Sequence, residues 1–155
     1  MTLPAKSPSG KYITAVKNNG FNETEKLEYV YFEKGGKYTT IGSSSFKGSL
    51  TYRPKLKAVY LPETIQRIET MAFLGQYELL DSNLDYLANL ETPVLNYLGS
   101  QAYGGFNTDF PWEYTSMQLR CSKLPDTIKF IGMNCFYQGG PNIRLTYLPE
   151  SLETL

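Results

Sequence analysis

Apolar positions recur along this chain in one figure: an apolar residue, two variable residues, a second apolar residue, four more residues, then an aromatic ring. Ile13, Val16 and Phe21 make the first copy, and Tyr38, Ile41 and Phe46 the second. Ile65, Ile68 and Phe73 follow, then Leu95, Leu98 and Tyr103, then Ile128, Ile131 and Phe136; Leu152 and Leu155 open a sixth. The aromatic positions 21, 46, 73, 103 and 136 set a period that lengthens from 25 to 33 residues. Self-similarity on this scale predicts a solenoid, because a single unit of this size buries its apolar face only against its neighbours.

A second phrase precedes the later copies: LEYVYF (27–32), LKAVYL (56–61), LANLET (87–92), LRCSKL (119–124) and IRLTYL (143–148). Proline follows four of them directly, at Pro62, Pro93, Pro125 and Pro149. Lacking an N–H, proline is suited to stopping a strand. The fourth and sixth positions of each phrase share one face at the two-residue period of a strand, so each phrase predicts a short parallel strand stacked on its counterpart. The residue before each ring is small (Gly20, Ser45, Ala72, Ala102, Cys135), as the crowded inside of a turn requires. Cys135 therefore reads as a core residue, and Cys121 falls on the opposite strand face, which argues against a disulfide between them. Gly42, Gly99 and Gly132 read as tight-turn glycines.

The composite phrase, clearest over Leu56–Phe73 and Leu119–Phe136, resembles the BspA-type leucine-rich repeat. The resemblance implies a right-handed solenoid of about five turns with a concave parallel sheet, loops and short helical turns elsewhere, and little α-helix. It divides the chain into an N-terminal extension or cap over 1–11 and a repeat domain over 12–155. It also implies a surface or secreted bacterial protein that binds host proteins or mediates adhesion, with no catalytic residues. Counting from each ring to the next strand phrase places every insertion at the same point, so the extra loops should gather along one edge.

Composition narrows the chemistry. Fifteen basic residues balance fifteen acidic ones, which argues against nucleic acid as a partner. Histidine is absent, removing the commonest general base and metal ligand. Two cysteines make neither a disulfide framework nor a zinc site. The N-terminus lacks the apolar core of a signal peptide and no apolar run is long enough to span a bilayer, so membrane insertion is not expected. No cofactor is indicated. Asp81, Asn83 and Asp85 imitate the opening of a calcium loop, but Tyr86 replaces the required glycine and Thr92 the bidentate glutamate, so a polar loop is the expectation there. Asp109 and Glu113 are the nearest thing to a catalytic carboxylate pair, and nothing places them across a cleft from each other.

Two surfaces stand out as partner-binding candidates. The longest insertion, residues 104–118, carries Trp112 and Tyr114 as contact anchors, whereas Phe106 and Phe110 read as the loop's own core. The outward strand positions carry Tyr31, Tyr60, Lys123 and Tyr147, with Arg120 and Arg144 beside them. These point to a non-enzymatic module whose partner is a protein: a host or matrix protein, or a neighbouring chain. The alternatives are a glycan ligand or a structural part of a larger assembly such as a virion or surface fibre. Localisation at the cell surface or outside the cell follows from the resemblance. Leu152 and Leu155 end the last repeat without a polar cap, which predicts end-to-end self-association there.

Overall fold

In a computed structural model, which describes residues 1–106 and 117–155, the repeating figure becomes a stack of short parallel strands. These are β1 (Thr2–Leu3), β2 (Ala15–Val16), β3 (Tyr29–Phe32), β4 (Thr40–Ile41), β5 (Ala58–Val59), β6 (Arg67–Ile68), β7 (Tyr97–Leu98) and β8 (Phe130–Ile131), with one short helix, α1 (Leu84–Ala88). They form two sheets, β1-β3-β5 and β2-β4-β6-β7-β8. Among the described residues every pairing between these strands is parallel, and Val16, Ile41, Ile68, Leu98 and Ile131 lie in register across the longer sheet. The chain is a β-solenoid of about four turns rather than five, because five rungs enclose four circuits and the last circuit closes only through an isolated bridge from Phe130 to Thr154.

The core is a set of columns. Phe21, Phe46, Phe73, Tyr103 and Phe136 lie flat on one another with ring centroids 5.3, 5.4, 5.1 and 5.8 Å apart. Each such contact adds roughly 0.5–1.5 kcal/mol beyond the area it buries. Beside them Ser45, Ala72, Ala102 and Cys135 are buried, so from the second ring onward the small residue before the ring occupies the crowded interior, whereas Gly20, before the first ring, is exposed.

Three features depart from the expected pattern. The longer sheet is built by the aliphatic figure itself, whereas the phrases read as strands carry the shorter one. The third-turn strand is not LANLET (87–92). Its place is taken by Leu79–Leu84, where Asp81 pairs with Ala58 and the Leu80 N–H donates to Lys57 O. Leu79, Ser82 and Leu84 are buried as Leu56, Val59 and Leu61 are. The polar residues Asp81, Ser82 and Asn83 hide this copy of the phrase, and residues 87–92 begin in α1. Consequently the third turn is lengthened after its strand, by the segment holding α1, and the fourth before its strand, between Tyr103 and Leu119. The insertions do not share one edge.

The glycine reading is also corrected. None of Gly42, Gly99 and Gly132 has a positive φ. A Cβ at each would lie 2.5 Å from Val16 O, 2.4 Å from Thr70 N and 2.3 Å from Ser100 N respectively, all backbone atoms of the preceding turn. These glycines permit one turn to settle on the next. The left-handed residue of each turn sits two positions before the ring instead: Asn19, Ser44, Met71, Gln101 and Asn134, with φ between 53° and 58°.

Gly99→Ala should therefore destabilise the fold by about 1–3 kcal/mol, because a methyl is forced into backbone. Gln101→Asn, which suits the left-handed conformation better, should stabilise it by a few tenths of a kcal/mol up to about 1. Urea unfolding of both variants beside wild type measures the two opposite shifts.

Candidate functional site

The sheet β1-β3-β5 positions an aromatic surface. Val30 and Val59 pair in register and are buried, so the next residues along, Tyr31 and Tyr60, turn outward by the strand's alternation. Their rings stack at 5.0 Å with planes 14° apart, yet both remain exposed, at 44% and 40%. A groove of about 450 Å³ runs beside Tyr60, walled by Glu33, Lys34, Pro62, Glu63 and Tyr86. The Tyr86 hydroxyl donates to Glu63 Oε1 across it. Tyr86 stands on α1, an element the apolar period did not predict, so the sequence showed it only as the residue that spoils the calcium pattern and not as part of this surface.

Further along the sheet the outward row changes character. In the third turn Asn83 holds the place corresponding to Tyr60, but its side chain folds onto backbone. Its Oδ1 accepts from Leu61 N–H at 2.8 Å and its Nδ2 donates to Leu61 O at 3.0 Å. Asp81 Oδ1 accepts from the Asn83 N–H at 2.6 Å. Of the calcium-like trio, Asn83 is thus spent on joining turns and the Asp81 side chain on holding its own loop, and among the described residues no three acidic, thiol or imidazole groups gather as metal ligands. Beyond it, Arg120 and Arg144 come together around a separate depression of about 290 Å³.

The residues proposed from sequence therefore divide. Tyr31 and Tyr60 meet on the first turns, and Arg120 and Arg144 on the last ones. Lys123 is half-buried near the basic pair, and Tyr147 is exposed on the final turn. Trp112 and Tyr114, with Phe110, Asp109 and Glu113, lie outside the described residues. Phe106 is core, packed with Leu74, Tyr77 and Met117 in a satellite cluster.

The family model for the BspA-type leucine-rich repeat region, in 6 copies, matches residues 6–93. The chain belongs to the BspA-type leucine-rich repeat family. Repeats of this family are commonly surface-associated, protein-binding modules, and are typically non-catalytic. No curated protein and no solved structure matches the chain. The matched span holds the tyrosine stack and ends before the basic pair.

Within this BspA-type solenoid, Asp85 fixes the shape of the later turns. Its Oδ1 accepts from the Ser122 and Lys123 N–H groups at 2.8 and 2.9 Å, and its Oδ2 from the Ser122 hydroxyl at 2.7 Å. Ser122 is held outward, and Cys121 takes the buried place that the phrase pattern assigned to its neighbour. That corrects the reading of Cys121 as a residue of the opposite face. Burial acts to raise the Asp85 pKa, but the bonds from Ser122 and Lys123 outweigh it and hold the carboxyl below its ordinary value of 3.8. Both cysteines are free and buried, and burial pushes each thiol up to about 12.

Asp85→Ala should cost about 2 kcal/mol at neutral pH, the scale of hydrogen bonds to a charged group. Because the folded pKa is depressed, the clamp's contribution is present above the ordinary value of 3.8 and is lost as pH falls through the folded pKa. Denaturant midpoints of wild type and variant should therefore converge on acidification. A thiol reagent at mildly alkaline pH should leave both cysteines unmodified in the folded protein and label both in urea, which absorbance of the released chromophore would follow.

Proposed function

We propose that this chain is a non-catalytic protein-binding module, working at a cell surface or outside the cell, that holds its partner on the outward face of β3 and β5. The Tyr31–Tyr60 stack is the observation that carries this reading. Each ring already rests on its neighbour at 5.0 Å while much of it stays open to solvent, so contact with a partner buries large aromatic area with little further loss of side-chain freedom. Tyrosine is among the residues that dominate binding energy when such a surface is covered. The groove along Tyr60 and Tyr86 gives an extended segment somewhere to lie.

A protein partner fits better than a glycan, since sugars stack on open ring faces and each of these two rings already covers one face of the other. An enzymatic role draws no support from the chemistry present: the sequence has no histidine and both thiols are held protonated. Among the described residues no helix is long and apolar enough to cross a membrane.

Capture from matrix and mucosal extracts on immobilised protein tests the proposal, with a Tyr31→Ala/Tyr60→Ala double variant alongside. Wild type should retain a protein that the variant holds at least tenfold more weakly, a loss of about 1.4 kcal/mol or more. Equal retention by both would remove the tyrosine face from the reading, and retention of glycan but no protein would replace the reading altogether.

A further inference from the structure

The geometry points to the depression between Arg120 and Arg144 as a carboxylate site, which takes a single acidic group of a partner segment. This rests on the protein-binding reading and names the chemistry of a second contact, on the later turns.

Arg120 and Arg144 lie on neighbouring rungs. The Arg120 N–H donates to Leu80 O, Cys121 pairs in parallel with Ile143, and the Arg144 N–H donates to Cys121 O. Cys121 is buried, so Arg120 and Ser122 on either side of it turn outward. Asn142 and Arg144 flank Ile143 in the same way. Rungs of a sheet are about 4.8 Å apart, and the four outward residues, with Asp85, wall the depression of about 290 Å³ over Cys121.

Among the described residues the two guanidinium groups have no carboxylate partner. The ion pairs there use Arg53, Lys57, Arg67 and Lys129. Arg144 makes one long bond, from Nε to Pro141 O at 3.5 Å, which leaves its terminal N–H groups open. Asn142 is committed to Gln118 O at 3.2 Å, and the Ser122 hydroxyl to Asp85. The arginines are the charged donors that remain, and guanidinium forks match the geometry of an oxyanion.

Charge decides which oxyanion. Among the residues that wall the depression, two guanidiniums and the ionised Asp85 carboxylate, which three donors already hold, leave one net positive charge. One carboxylate neutralises that charge. A doubly charged phosphate would overshoot it and meet Asp85 at close range.

NMR titration with short peptides tests this without needing the natural partner. The probes are acetyl-Gly-Glu-Gly-amide, which offers only a side-chain carboxylate, acetyl-Gly-Gly-Gly with a free C-terminus, which offers only a terminal one, the Gln analogue of the first peptide, and inorganic phosphate. The Nε–Hε resonances of Arg120 and Arg144 should shift saturably with one or both carboxylate peptides, and the stronger of the two identifies the source. R120Q and R144Q should each weaken binding at least tenfold while leaving the melting temperature unchanged, as befits exposed side chains. Equal shifts from the Gln peptide, tighter binding of phosphate than of either carboxylate, or unchanged affinity in both variants would overturn the inference. The two readings fail separately: a null titration leaves capture by the tyrosine face intact, and loss of that capture leaves the titration unaffected.

Discussion

Each turn of this chain must set its aromatic ring flat on the ring of the turn before it, at a repeat near that of stacked strands. Much else in the molecule follows from that contact. A flat stack fixes how far the chain advances per circuit, and the advance fixes the register of Val16, Ile41, Ile68, Leu98 and Ile131 beside it. Backbone then comes close enough to backbone that Gly42, Gly99 and Gly132 cannot carry a Cβ without displacing the turn beneath. The left-handed residue before each ring is the bend that delivers the ring to its place, and Met71 and Gln101 adopt it although neither favours it.

Inside, the stack demands sameness; outside, it demands nothing. The outward positions on this side therefore differ from turn to turn: tyrosines on β3 and β5, then an asparagine turned onto the backbone, then arginines on the bridged segments beyond. Side-chain clamps mark the change. Asn83 ties the third turn to Leu61, and Asp85 ties it to Ser122 and Lys123. The aromatic and the basic surface are thus held on one rigid frame although they come from distant parts of the sequence.

The interior was largely legible in the sequence because it rests on apolar identity at fixed spacing, and all five rings of the column stand where the spacing put them. What escaped had specific causes. Leu79–Leu84 is a full copy of the strand phrase, but Ser82 replaces its central aliphatic residue and two further polar residues surround it, while LANLET imitates the phrase a few residues later. The glycines stood out, yet their reason lies in another turn, which local sequence does not display. Asp85 resembled a failed metal ligand because carboxylates that accept backbone N–H groups and those that bind cations look alike until their partners are known. Of the candidate surface, Tyr31 and Tyr60 were found from strand alternation alone; Glu63 and Tyr86 depend on α1, a five-residue helix too short to show a period.

The ring spacing stays between 5.1 and 5.8 Å although successive circuits grow from 25 to 33 residues. Pitch and perimeter are therefore independent in this molecule. A loop can gain residues by bulging sideways, without lifting the turn above it, so length changes between rungs need no compensating change in the column. Such a chain can be rewritten at its margins, one circuit at a time, while the axis that carries its stability keeps the same rise.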